Sequence, residues 1–130
     1  MPDRKTMNCI NNKFDIAIKL FNNQEWYKAH DVLEEIWHNT NGLERITIQG
    51  ILQIAVAQVH LGENNYKGAT ILYGEGLGRL KTNNLPDLGL DIKLFIEIIE
   101  VRFKLLQNQK DIKNENIPYL QRKPLNDHSE

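Results

Sequence analysis

The sequence predicts an all-α domain, a bundle of about five helices around one buried helix. Three observations carry that prediction. Apolar residues recur at i, i+3, i+4 and i+7 through most of the chain. One long stretch, residues 43–61, is apolar on nearly every side, as a central helix must be. The breaks between periodic stretches are short clusters of Asn, Gly, Asp and Pro, which suit helix ends and turns. With 130 residues the chain can enclose a single core.

The first periodic stretch is residues 13–22, where Phe14, Ala17, Ile18 and Phe21 form one face. Residues 1–12 before it read as a flexible N-terminus without the apolar run of a signal peptide. Asn22 and Asn23 break the pattern and can cap a second helix over residues 24–38. Asn39, Thr40, Asn41 and Gly42 end it. The third helix, residues 43–61, is too long and too free of breakers for a strand despite its Ile and Val content. Gly62, Glu63 and Asn64 then turn the chain into a fourth helix over residues 65–81.

Gly74, Gly76 and Gly78 inside the fourth helix each cost about 1 kcal/mol relative to alanine. Two readings fit them: close approach of a neighbouring helix, or a weak, partly irregular helix. After a loop at residues 83–89, Asp91 can cap a fifth helix over residues 92–109. Its apolar face is wide enough to touch two neighbours, or to meet a second chain in a homodimer. Residues 110–130 form a polar tail in which Ile117, Pro118, Tyr119 and Leu120 can act as an extended anchor. The domain proper is residues 13–109. A faint repeat aligns Trp26, Ala29 and Leu33 with Tyr66, Ala69 and Tyr73, an echo of tetratricopeptide-type hairpins.

Net charge is −1, from 16 basic and 17 acidic residues, so strong non-specific nucleic-acid binding is not expected. The lone Cys9 allows no internal disulfide and reads as a bystander thiol in a cytoplasmic protein. No stretch has the length and apolarity of a membrane span.

Candidate chemistry centres on His30-x-x-x-Glu34-x-x-Trp37. At about 100° per residue these three lie within roughly 60° of one another on the second helix, beside Trp26, Ala29 and Leu33. On the third helix Gln49, Gln53 and His60 form a second polar stripe with Arg45 at its edge. If the two helices pack antiparallel, the stripes can face each other. One reading is a satisfied buried network, with glutamine amides bridging Glu34 and His30. A second is a pocket for a polar ligand, with Trp26 or Trp37 as a stacking wall and Gln53 as a hydrogen-bonding partner. A third is a divalent transition metal on His30, Glu34 and His60. A fourth is acid–base catalysis by Glu34 and His30, although no motif places a nucleophile. Gly74-x-Gly76-x-Gly78 lacks the surroundings of a phosphate loop.

In this order and spacing, Trp26-Tyr27-x-Ala29-His30-x-x-Leu33-Glu34-x-x-Trp37, Gln49-Gly50-Ile51-Leu52-Gln53, His60-Leu61 and Asn65-x-x-Gly68-Ala69-x-x-Leu72 resemble domain of unknown function family 309 of bacteria and plastids. The resemblance runs from Phe21 to Leu80. It implies an all-helical domain whose recurring polar positions match His30, Glu34, Gln53 and His60. It implies no activity. The leading expectation is therefore a non-enzymatic binding module without a cofactor, its polar site centred on His30 and Glu34. Its partner would be a protein or a small polar ligand. The alternative is a small metal-dependent or acid–base hydrolase using His30, Glu34 and His60.

Overall fold

The computed structural model describes the backbone of residues 4–124 and the side chains of residues 12–124. Five helices follow one another: α1 (Arg4–Asn22), α2 (Trp26–His38), α3 (Leu43–Gly62), α4 (Tyr66–Leu80) and α5 (Ile92–Gln107). There is no strand among the described residues, only a single antiparallel bridge between Leu90 and Arg122. Of the flexible N-terminus expected for residues 1–12, residues 1–3 lie outside the description, and α1 runs from Arg4. Cys9 and His128 lie outside the described side chains.

Helix α3 is the hub, packed against α2 on one side and α4 on the other. Its broad apolarity follows: Ile48, Ile51, Ile54, Ala55 and Ala57 are all buried, and the buried Thr47 donates its hydroxyl to the Pro86 carbonyl at 2.6 Å. Helix α1 adds to the outer side of α2, and α5 to α4. The repeat seen in the sequence is real in space. Trp26 and Tyr66 each open a helix, and Ala29, Leu33, Ala69 and Tyr73 are buried. The turns before them match as well. Gln24 and Asn64 both adopt positive φ, at 63° and 60°. The next amide in each turn, Glu25 or Asn65, donates back to Leu20 or His60 at 2.9 and 2.8 Å.

Caps at α4 and α5 fall where side chains can provide them. Asn65 accepts from the Gly68 amide and Asp91 from the Leu94 amide, each at 3.0 Å. At α2 the expectation fails. Glu25 is the N-cap, without a side-chain bond. Asn22 is engaged elsewhere, because its amide group pairs with the backbone of Leu120, donating at 2.8 Å and accepting at 2.7 Å. Pro118 and Leu120 are buried while Tyr119 between them is exposed, the alternation of an extended strap. Gln121 accepts from the Asp91 amide, and Lys123 donates to the Gly89 carbonyl. The strap thus joins the end of α1 to the start of α5, where Phe21 and Phe95 meet edge to face at 5.7 Å. The wide apolar face of α5 is largely used within the chain. Phe95, Ile98, Ile99 and Leu106 are buried, and Val101 is its exposed large apolar residue.

Helix α4 runs unbroken through Gly74, Gly76 and Gly78, and two of them, Gly74 and Gly76, sit against neighbouring helices. A Cβ on Gly76 would stand 3.0 Å from the Gly50 carbonyl oxygen of α3, and one on Gly50 would stand 2.8 Å from Leu80. Gly74 sits against the Phe103 ring at a similar distance. A Cβ on Gly78 would meet nothing within 4 Å. Gly76→Ala is therefore expected to lower stability by about 1–3 kcal/mol through overpacking. Gly78→Ala is expected to raise it by up to about 1 kcal/mol through helix propensity. Thermal denaturation of the two variants checks this, and a gain in both would refute the close α3–α4 approach.

Candidate functional site

The buried stripe of α2 is Ala29, Leu33 and Ile36. His30 and Glu34 each follow a buried residue by one position, which rotates them about 100° to the margin of that stripe. Their side chains are accordingly 29% and 50% exposed. The imidazole lies between two carboxylates: Nδ1 is 3.2 Å from Asp31 and Nε2 is 3.7 Å from Glu34. The first is a hydrogen bond and the second an ion-pair distance. Glu34 thus faces water instead of joining a buried network.

Trp37 and Arg45 do come together. The Arg45 guanidinium lies over the indole at 3.7 Å from its centroid, a cation–π stack joining the end of α2 to the start of α3. Trp37 Nε1 and Arg45 Nε are buried without a hydrogen-bonding partner.

The second polar stripe turns from α2 toward α4. Gln53 donates to Glu75 at 3.0 Å and accepts from Arg79 at 3.1 Å. Gln49, one turn earlier, is half-buried. His60 Nδ1 lies 3.0 Å from the Asn65 side-chain amide, within the α3–α4 turn. Among the described residues no three His, Cys, Asp or Glu side chains converge as metal ligands would. His30, Glu34 and His60 therefore do not form the expected three-residue ligand set. The reason is geometric: His60 belongs to the turn that closes α3 and points into it.

The buried polar network lies elsewhere, on Gln58, Tyr73 and Arg102. Gln58 of α3, Tyr73 of α4 and Arg102 of α5 are 8%, 0% and 4% exposed. Arg102 donates through Nε to the Tyr73 hydroxyl at 2.7 Å and through Nη2 to Gln58 Oε1 at 3.3 Å. The Tyr73 hydroxyl in turn donates to Gln58 Oε1. Arg102 Nη1 donates to the Asn116 carbonyl at 3.0 Å. A signal was present in the sequence. Arg102 occupies a stripe position between Ile99 and Leu106, and Gln58 one after Ile51 and Ile54. Burial pushes the Tyr73 phenol up to about 12, against the opposing pull of Arg102.

Residues 14–72 match the family model described as Domain of unknown function (DUF309). The DUF309 match contains His30, Glu34, Trp37, Arg45, Gln49, Gln53 and His60, and ends one residue before Tyr73. Arg102 and the C-terminal strap lie beyond the DUF309 segment. No curated protein matches the chain.

The Tyr73 phenol gives a pH prediction. Between about pH 10 and 12 the unfolded chain loses this proton while the folded chain keeps it. The unfolded state then binds fewer protons, so stability falls as pH rises through that window. Tyr73→Phe is expected to cost about 1–3 kcal/mol at neutral pH by leaving Arg102 and Gln58 short of a partner. It is also expected to flatten the alkaline decline of the melting temperature. Parallel declines in both proteins would show that Tyr73 is not protected.

Proposed function

We propose that the protein is a non-enzymatic, cytoplasmic binding module that receives a donor-rich polar segment of another protein on the outer side of α2, around His30 and Glu34. The observation that carries this reading is the imidazole held between Asp31 and Glu34, with both carboxylates turned to water. Carboxylates at an accessible surface offer acceptors in a fixed arrangement, which suits lysine or arginine side chains. The Trp37–Arg45 stack beyond them adds a rigid, half-buried ledge. The exposure of the pair also favours recognition over chemistry. Acid–base work gains from desolvated groups, and the third group expected from the sequence, His60, is committed to Asn65. No helix among the described residues is long and apolar enough to cross a membrane.

The test is charge reversal on the exposed face. Asp31→Lys with Glu34→Lys is expected to change stability by no more than about 0.5 kcal/mol per site, as surface substitutions do. The same variant is expected to lose proteins that cross-link to a photoreactive residue placed at Glu35. Recovery of an unchanged set by a folded variant would remove the α2 face as the binding surface.

A further inference from the structure

On the other side of α3 from Gln53, the Arg102 network opens into a cleft of about 850 Å³. The starts of α2 and α4, the ends of α3 and α5, and the segment 109–117 enclose it. Trp26 and Tyr66, the two aromatic residues related by the repeat, both line it, as do Leu61 and Leu106. Arg102 and Gln58 supply its polar wall.

The electrostatics of this wall are unusual. A guanidinium carries five N–H donors and a fixed positive charge. Three donors are used, and all three acceptors are neutral: a phenol, an amide and a peptide carbonyl. No carboxylate among the described residues lies within ion-pair distance of Arg102, although it is 4% exposed. Asp111 and Glu115 line the same cleft together with Lys110 and Lys113, so these four side chains carry no net formal charge. One positive charge remains uncompensated at a buried position. Buried charges are otherwise paired, because an unpaired one costs several kcal/mol.

We propose that this cleft binds a small organic monocarboxylate with an apolar body. The carboxylate sits on the free donors of Arg102, and the body lies against Trp26, Tyr66 and Leu106. A single negative charge matches the single uncompensated charge; a phosphate dianion would leave a second charge without a partner. The volume suits a small molecule, and the apolar walls account for the body. This site is separate from the α2 face proposed above and stands or falls independently of it.

The experiment titrates the purified chain with octanoate and phenylacetate, and with the neutral isosteres octanamide and phenylacetamide. Tryptophan fluorescence and calorimetry report binding, since Trp26 lines the cleft. At least one acid is expected to bind about tenfold or more tightly than its amide, the worth of a charge-assisted bond. Inorganic phosphate is expected not to displace it. Arg102→Gln is expected to abolish the preference for the acid. Should that variant fail to fold, Gly62→Leu serves in its place. Gly62 lines the cleft and a Cβ there meets nothing within 4 Å, so a larger side chain has room at the cleft wall without straining the helix. Equal affinity for acid and amide, no binding of either acid, displacement by phosphate, or unchanged binding in a folded Gly62→Leu variant would each overturn the proposal.

Discussion

The approach of α3 to α4 through Gly50 and Gly76 is the constraint on which the other contacts rest. With the Gly50 carbonyl oxygen only 3.0 Å from where a Gly76 Cβ would be, the two backbones pack closely. That approach brings Gln58 and Tyr73 into hydrogen-bonding range. It also lets Gln53 reach Glu75 and Arg79 across the same interface. Larger residues at either glycine would push the helices apart and stretch both sets of bonds. The glycines lower helix propensity, and the packing they permit offsets that loss.

Arg102 then extends the α3–α4 pair to the rest of the molecule. Through Nε and Nη2 it holds α5 to Tyr73 and Gln58, and through Nη1 it fixes the segment after α5 at Asn116. One side chain thus reaches α3, α4 and the C-terminal segment from α5. Its neighbours are neutral, so the network satisfies hydrogen bonds without neutralising charge. That distinguishes it from the exposed pairs Lys81–Glu100 and Lys123–Asp87, which trim the surface.

Helix order, the hub role of residues 43–61 and the pairing of Trp26 with Tyr66 could be read from periodicity, because each depends on residues close in sequence. The marginal position of His30 and Glu34 could not. A helical wheel places them beside Leu33, but the direction of the core is set by where α1 and α3 pack. Gln53 could face either neighbour of α3, and only the positions of Glu75 and Arg79 decide it. The Gln58–Tyr73–Arg102 cluster joins three helices across a separation of 44 residues, which no local pattern encodes. Polar residues in apolar stripes were present at 58 and 102. Neither carries a motif that marks it off from an ordinary polar residue at a stripe margin. Asn22 illustrates the same limit: a residue suited by type to capping is instead held by Leu120 near the opposite end of the chain.

The strap has a consequence for the order in which the molecule can be assembled. Contacts between successive helices join segments that leave the ribosome one after another, so the α1–α4 layer can form while synthesis continues. The bond between Asn22 and Leu120 spans 98 residues, and the bridge from Leu90 to Arg122 closes beside it. Neither can exist until Leu120 and Arg122 have been synthesised. Until then the Phe21 and Phe95 end of the bundle lacks its cover, and apolar surface there stays accessible to chaperones. Residues 118–123 act as a latch between α1 and α5, so a chain broken off shortly before Leu120 would keep the contacts between successive helices and lose the link that ties the end of α1 to the start of α5.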